Sequence, residues 1–265
     1  PEDDADLARV AEAGFNLVRA AESTESLDRL AEHGLWAWLN TGMRIDLSHD
    51  VAQQTAALER VVAGYADHPA LLVWEVPDEA LWNTWYRAMT WRHHEEPGKL
   101  REAIRNVEDG DLKRRLSKQL NESIHLRDRG EYSAAEKHAD EIWKALGKEP
   151  PRPDFGVGNA PERAAKLCKG MVQGYEKLRA LDPAHPVWMN HAPRNQIPQL
   201  AAFNRAADIV GCDIYPVPFT PLVAHSDLPE RSVAAVGAYT ARMQAAAPNK
   251  PVWMVLQGFG WGDIQ

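Results

Sequence analysis

The stretch LLVWEVPDEALW, residues 71–82, decides the predicted fold, because a short apolar run in it passes directly into acidic residues. The apolar run begins at Leu71, and Glu75, Asp78 and Glu79 follow it. A strand covered on both faces reads as a continuous apolar run, as in parallel sheets. The stretch therefore predicts a barrel strand that delivers carboxyl groups to a site, or a core strand that runs out into a polar loop.

Helical patterns and short apolar runs alternate on both sides of this stretch. We predict strands at 15–19, 35–40, 71–79, 187–190, 209–215 and 252–256. The third of these could also end at Pro77, which has no N–H to donate to a neighbouring strand. Six helix-then-strand units fit both a doubly wound α/β sheet and a (β/α)₈ TIM barrel. No glycine-rich phosphate-binding turn follows any of these runs, which favours the barrel.

Residues 83–158 separate two strands by much more than one crossover helix. Apolar residues at helical spacing predict three helices there, around 100–107, 112–124 and 135–146. The predicted domains are therefore 1–82 and 159–265 for the two parts of the barrel and 83–158 for a helical insertion. A lid, an arm that contacts a partner or a second copy, and a solvated decoration all fit this insertion.

Composition excludes several classes of function. The net charge of −8 argues against a nucleic-acid or anionic-membrane partner. No apolar run approaches the roughly 20 residues that span a bilayer. The two cysteines and the run from His93 to Glu96 have no metal-ligand spacing, so we expect neither a metal nor a cofactor, and a solvated face at 93–96. Because the sequence starts at Pro1 without Met, we expect a fragment that lacks any targeting signal.

Polar side chains stand at or near the ends of most predicted strands. They are Arg19, Asn40, Asp78, Glu79, Asn190, His191, Asp213, Tyr215 and Gln257. In a barrel the carboxyl ends of the strands form one rim, and barrel enzymes carry their chemistry there. These side chains are therefore predicted to line one site, although polar residues end many strands without any function.

Glu79 is the preferred catalytic candidate in the opening stretch. On a regular strand Glu75 and Glu79 share a face but lie roughly 13 Å apart. A glycosidase pair needs about 5 to 9.5 Å, so one strand cannot supply both carboxyl groups. Glu79 lies at the strand end, where neighbouring tryptophans such as Trp74 would raise its pKa by desolvation. An N-cap or salt-bridged Glu is the alternative interpretation.

The run Trp74-Glu75-Val76-Pro77-Asp78-Glu79 resembles the strand-four signature of clan A glycoside hydrolases, the group of cellulases, β-galactosidases and β-mannanases. The resemblance implies that Glu79 is the general acid/base and that Asp78 holds a sugar hydroxyl. The strand ending at Arg19 is similar to that clan's strand two, whose Arg contacts the nucleophile, and Tyr215 matches a Tyr at the end of strand six. It further implies that strands one and eight lie outside this sequence, that the substrate is a carbohydrate and that the protein is extracytoplasmic.

Gln257 departs from this pattern, because the clan places its nucleophilic Glu at the end of strand seven. An amide cannot form the glycosyl-enzyme ester of a retaining enzyme. Asp213 as the second catalytic carboxylate, an acetamido group of the substrate oriented by Gln257, a carboxylate in the absent strand eight, and sugar binding without cleavage remain open.

Ten tryptophans suit a protein that binds sugars, because sugars stack on aromatic rings. Trp82 and Trp261 lie past strand ends and are predicted to contact the substrate. Trp188 and Trp253 lie in mid-strand and are predicted to belong to the core.

Overall fold

The computed structural model describes residues 4–128, 131–150, 156–193, 195–217 and 232–260. The chain divides into two compact units: Pro1–Leu81 with Lys166–Gln265, and Trp82–Ala165. No helix within the described ranges is long and apolar enough to cross a membrane.

The first unit is built on six parallel strands that form a curled half-barrel. They are β1 (Leu17–Arg19), β2 (Trp36–Asn40), β3 (Leu71–Glu75), β4 (Val187–His191), β5 (Ile209–Ile214) and β6 (Val252–Leu256). Each strand pairs with the next one in the sequence, so the order never reverses. A doubly wound sheet needs such a reversal, so that alternative is wrong for the described strands. The half-barrel is consistent with part of a barrel.

The helices of the first unit lie between the strands along the chain. They are α1 (Asp4–Glu12), α2 (Thr24–Glu32), α3 (Val51–Tyr65), α8 (Ala160–Leu181), which begins in the second unit, α9 (Ile197–Phe203) and α10 (Ala235–Ala246). Gly14 and Gly34 follow α1 and α2 with φ of 88° and 68°. The left-handed region costs a glycine little, so these residues reverse the chain into β1 and β2.

The strand register gathers tryptophans on one face of the sheet, here called the tryptophan face. Trp38 and Trp188 pack edge to face with ring centroids 5.7 Å apart, and Trp253 lies 5.8 Å from Trp188. These rings surround a cluster that includes Val73 and Ile209. The mid-strand positions of Trp188 and Trp253 therefore belong to core packing.

Trp74 occupies the opposite face of β3, because successive side chains of a strand alternate. It is fully buried, and its Nε1 donates to Asp182 Oδ2 at 2.7 Å. The expectation that Trp74 helps to desolvate Glu79 is therefore wrong.

The second unit is helical. Its helices are α4 (Ala80–Thr90), which begins in the first unit, α5 (Glu96–Arg105), α6 (Gly110–Asp128) and α7 (Tyr132–Ala145), with a π-helical turn at Trp91–Glu95 between α4 and α5. Apolar faces of α5, α6 and α7 form one cluster whose buried members are Leu100, Ile104, Leu116, Leu120, Ala139 and Ile142.

Part of the predicted solvated run at 93–96 is buried. Glu96 accepts hydrogen bonds from Arg92 Nη1 at 2.6 Å and from Trp143 Nε1 at 2.9 Å, and Arg92 also reaches Asp140 at 3.0 Å. Burial raises the pKa of Glu96. The expectation of a solvated face is wrong for Glu96, because α5 turns this side chain towards Trp143 of α7.

Gly211 is required by the packing of the tryptophan face. A methyl group there would overlap the carbonyl oxygen of Trp253 and lie 3.0 Å from Trp188 Nε1. Overpacking of this kind typically costs about 1–3 kcal/mol. We expect Gly211→Ala to lower the free energy of unfolding by that amount in a chemical denaturation experiment.

Gly237 provides the matched control, because it lies in α10 and a methyl group added there would have no atom within 4 Å. Alanine favours the helix over glycine by up to about 1 kcal/mol. Gly237→Ala should therefore raise the unfolding free energy. Equal effects of the two substitutions would contradict the packing described here.

Candidate active site

The segment after β3 carries the acidic residues to the end of β4. The strand ends at Glu75 and not at Glu79 as predicted, but backbone bonds continue along β4. The amide of Val76 donates to Trp188 O at 3.0 Å, and the amide of Glu79 donates to Asn190 O at 3.2 Å. Glu79 therefore lies beside the carboxyl end of β4, immediately before α4.

Glu79 adopts a left-handed backbone conformation with φ of 49°. A residue with a Cβ rarely adopts this region, and strain of about 1–3 kcal/mol is typical where it does. The backbone bond to Asn190 and the start of α4 hold it there. This turn lets Glu79 leave the path of β3 and approach β5.

Glu79 and Asp213 form a carboxyl pair joined by a side-chain hydrogen bond. Burial, and then the charge of Asp213, raise the pKa of Glu79 to about 8. Burial also raises the pKa of Asp213, to about 6, while the hydrogen bond from Glu79 opposes that increase. At neutral pH the pair therefore holds a proton on Glu79, which donates it to the Asp213 carboxylate.

Tyr215 supports the charged partner of this pair. Its hydroxyl donates to the Asp213 carboxyl group, and burial together with that charge raises the pKa of the phenol above its usual range. Its ring packs against Phe259 with centroids 4.9 Å apart. The resemblance predicted that Tyr215 binds the nucleophile position, whereas in the structure Tyr215 binds Asp213.

Asn190 connects β4 to the acidic loop. Its Nδ2 donates to Asp78 Oδ1 at 2.9 Å, and Asp78 is exposed to solvent. Burial is the main cause of the raised pKa values of Glu75, Glu79 and Asp213. The negative charge of Asp78 raises all three further. Asp78 is thus the electrostatic neighbour that these three carboxyl groups share.

Glu75 is buried on the same face of the sheet as Asn190, and side chains of β1 and β2 hold it in place. Asn40 Nδ2 donates to its Oε2 at 2.7 Å, and Arg19 Nε lies 3.8 Å from the same oxygen. Burial raises the pKa of Glu75, and the bond from Asn40 and the charge of Arg19 oppose the shift. Arg19 therefore contacts Glu75, and not Gln257, which stands at the expected nucleophile position.

A pocket of about 490 Å³ opens beside Arg19 and Asn40, at the carboxyl ends of β1 and β2. Its lining also includes Ala20, Ala21, Glu22 and Leu39. Glu79 and Asp213 do not line it. The carboxyl pair therefore lies outside the lining of this pocket, which offers space at the neighbouring strand ends.

Gln257 is engaged by backbone groups. Its Oε1 accepts from the amide of Val217 at 3.0 Å, and its Nε2 donates to Val217 O at 3.2 Å and to Phe259 O at 3.0 Å. The amide thus ties the residues after β5 to those after β6. No spacing rule in the sequence predicts this pairing, since the two segments are 40 positions apart.

His191 does not join the other predicted site residues. It follows Asn190 on β4, so its side chain points to the opposite face. The ring is buried, its Nε2 lies 2.8 Å from Asn204 Oδ1, and it packs against Phe203. Burial lowers its pKa to about 4. The prediction that His191 lines the site is therefore wrong, because the alternation of the strand places it under α9.

The remaining predictions concern tryptophans and metals. Trp82 is half-buried and belongs to the second unit, and Trp261 lies outside the described residues. No group of three or more His, Cys, Asp or Glu side chains within the described ranges is arranged to hold a metal ion.

Solved glycosidases have a similar fold. A β-galactosidase from the psychrophilic Marinomonas ef1 superposes with a TM-score of 0.53 at 14% identity, over 97% of this chain and 46% of the enzyme. One from Rahnella sp. R3 gives 0.50 at 16% identity, over 95% of this chain and 42% of the enzyme. A β-glucuronidase from Bacteroides uniformis gives 0.48 at 12% identity, over 94% of this chain and 22% of the enzyme. The likeness to the two β-galactosidases shows a glycoside-hydrolase-like fold.

The chain spans less than half of the length of each of these three enzymes. No protein-family profile matches the sequence. No curated protein matches it either.

The raised pKa of Glu79 makes the stability of this region depend on pH. In the unfolded chain a Glu titrates near 4.3, whereas folded Glu79 titrates at about 8. A carboxyl group whose pKa is raised by folding stabilises the folded state at pH values below its unfolded pKa. That contribution is lost as the pH rises through its folded pKa. We expect Glu79→Gln, which mimics the protonated form, to gain stability relative to the wild type as the pH rises from 5 to about 8.

Urea denaturation midpoints at several pH values measure this difference. Glu32→Gln, at an exposed position of α2, is the control for the loss of one negative charge. A Glu79→Gln variant whose midpoint falls relative to the wild type as the pH rises would contradict the protonated pair.

Proposed function

We propose that the chain is a glycoside hydrolase-like protein that acts on O-glycosidic bonds of an oligo- or polysaccharide, with Glu79 as the general acid/base. The observation that carries the proposal is the placement of the half-buried Glu79 carboxyl group against the buried carboxyl group of Asp213, because burial and that neighbour raise the pKa of Glu79. Cleavage of a glycosidic bond at neutral pH needs a carboxylic acid that remains protonated. The glycoside-hydrolase-like fold agrees with this assignment.

The proposed reaction starts with the transfer of the Glu79 proton to the glycosidic oxygen as the bond to the sugar carbon breaks. Positive charge develops on the sugar ring, and the carboxylates of Asp78 and Asp213 stabilise that charge. A water molecule then adds to the sugar carbon. The proton that it releases returns to the Glu79–Asp213 pair, which restores the acid.

The direct hydrogen bond between Glu79 and Asp213 limits the role of Asp213. Paired carboxyl groups that flank a glycosidic bond are about 5 to 9.5 Å apart, and groups that share a hydrogen bond are much closer. In this arrangement Asp213 fits the role of proton partner for Glu79 better than that of a nucleophile. Gln257 cannot form an ester with the sugar, which is why the proposed reaction uses water.

We further propose that the six strands belong to a (β/α)₈ barrel whose first and last strands are not in this sequence. The sequential strand order and the signature that ends in Glu79 support this view. On this proposal residues 83–158 are an insertion between two barrel strands. Five polar side chains would contact the substrate or fix the residues that contact it: Arg19, Asn40, Asp78, Asn190 and Tyr215.

Carbohydrate binding without cleavage is the second candidate function. The observation that favours it is the engagement of the Gln257 amide by Val217 and Phe259, which leaves a structural group where the resemblance expects a nucleophile. Under this alternative the carboxyl and amide groups would bind sugar hydroxyls, and no turnover would occur.

Glu79→Gln separates the two functions. General acid catalysis typically contributes about 10²- to 10⁴-fold to the rate. We expect Glu79→Gln to lower kcat by that factor on an unactivated disaccharide or methyl glycoside, measured by released reducing sugar. A dinitrophenyl glycoside should lose much less, because its leaving group departs without a proton.

Glu32→Gln is again the control and should retain wild-type rates. Equal losses on both kinds of substrate would contradict the role of Glu79 as an acid. Binding of glycans by the wild type without any hydrolysis would favour the second candidate.

A further inference from the structure

A second pocket, of about 270 Å³, lies in the helical unit and is lined by residues of α5 and α6. Three of its lining side chains are cations: Arg101 and Arg105 of α5, and Lys113 of α6. Ile104 and Leu120 also line it, and both are buried members of the apolar cluster between these helices. The pocket, here called the basic pocket, thus joins a buried apolar floor to a cationic rim.

The cations of the basic pocket have no carboxylate to neutralise them. Arg101 and Arg105 make no ion pair with any residue that the structure describes. Lys113 Nζ donates to the carbonyl oxygen of Arg105 at 2.6 Å, which holds the ammonium group beside α5. Arg101 and Arg105 are four residues apart on one helix, where like charges face each other and destabilise the helix. An anion placed among the three cations would remove this repulsion.

The acidic residues nearest in sequence are engaged elsewhere. Asp109 Oδ1 accepts from the amides of Asp111 and Leu112 at 2.8 and 3.0 Å, so this carboxyl group caps α6. Asp111 pairs with Arg114. Residues 99–118 hold seven Lys and Arg side chains against four Asp and Glu, in a chain whose net charge is −8. The basic pocket therefore lies in a positive segment of an acidic protein.

The donors around the basic pocket match an oxyanion. A guanidinium group presents parallel N–H donors that fit two oxygens of a phosphate group. The amide of Asn121 also lines the pocket and makes no hydrogen bond within the described part of the chain, so its N–H groups can donate as well. Three cations attract a doubly charged anion more strongly than a singly charged one. The volume lies just below the range of about 300–1,000 Å³ that drug-sized ligands occupy, which favours a small ligand.

We propose that the basic pocket binds a doubly charged oxyanion of the size of phosphate, either the free anion or the phosphate group of a small ester. The anion would contact Arg101 and Arg105 on α5 and Lys113 on α6, and so would bridge the two helices. This site goes beyond the proposed glycoside hydrolysis, because none of its residues takes part in the proposed reaction.

Titration of the full chain with three anions at constant ionic strength tests this proposal. The probes are inorganic phosphate, methyl phosphate and methyl sulfate, and amide NMR follows binding. At about pH 7.5 methyl phosphate carries nearly two charges, whereas methyl sulfate has a similar shape and one charge. Because both arginines are exposed, we expect a Kd of about 1 mM for the phosphates and one about fivefold higher for methyl sulfate. The shifted amides should lie at 101–105 and 113–121.

Single substitutions separate the basic pocket from the general positive charge of the segment. Arg101→Gln and Arg105→Gln each remove one guanidinium group from the rim, and we expect each to raise the Kd for methyl phosphate about fivefold. Arg115→Gln is the matched control, because Arg115 is an exposed arginine of α6 that does not line the pocket. It should leave the Kd within about twofold of the wild type.

The two sources of the phosphate group give different results. Tighter binding of methyl phosphate than of inorganic phosphate would assign the basic pocket to an ester, and the reverse order would assign it to the free anion. An equal loss in Arg115→Gln and Arg105→Gln, or methyl sulfate that binds as tightly as methyl phosphate, would overturn the proposal. Amide shifts of the wild type that spread over basic residues outside the pocket would also overturn it, and this result needs no variant to fold. Neither outcome depends on whether the chain cleaves a glycoside.

Discussion

The hydrogen bond between the carboxyl groups of Glu79 and Asp213 is the interaction on which the chemistry of this protein depends. Two buried carboxyl groups in contact cannot both ionise cheaply, so one of them keeps a proton at neutral pH. Glu79 is the half-buried member and Asp213 the fully buried one, and Tyr215 donates to Asp213. The donation stabilises charge on Asp213, which leaves the proton with Glu79, the group that a ligand can reach.

Strand pairing holds Asp213, whereas a turn beyond the end of β3 holds Glu79. Glu79 lies beyond β3, in a left-handed conformation that its backbone bond to Asn190 maintains. Asp213 lies within β5, two residues past Gly211, where the close approach of Trp188 and Trp253 fixes the tryptophan face. The tryptophans thus pack in the middle of the sheet and position the strand ends. The acidic and amide side chains of the site lie at the carboxyl edge of the same sheet.

The sequence predicts the strands and their direction well, because each is a short apolar run that follows a helix. The sequential order of the strands follows only if every crossover places the next strand on the same side of the previous one. The apolar pattern of the sequence does not decide this. The location of Glu79 near other strand ends is also predictable. Its hydrogen bond to Asp213 is not, because strand alternation says nothing about a residue that has left its strand. The same limit hides the bonds of Gln257 to Val217, which join two loops distant in sequence. The position of His191 is different, because the alternation of side chains after Asn190 already places it on the other face of the sheet.

Direct titration of the carboxyl groups tests the central claim most simply. Carbon-13 NMR of protein labelled at the carboxyl groups of Glu and Asp, assigned with Glu79→Gln and Asp213→Asn, follows each protonation as a shift with pH. The account predicts that Glu79 titrates with an apparent pKa of about 8 and Asp213 with one of about 6. It also predicts that the resonance of each group responds to the titration of the other. A Glu79 resonance that titrates near the ordinary value of about 4.3, independently of Asp213, would contradict it.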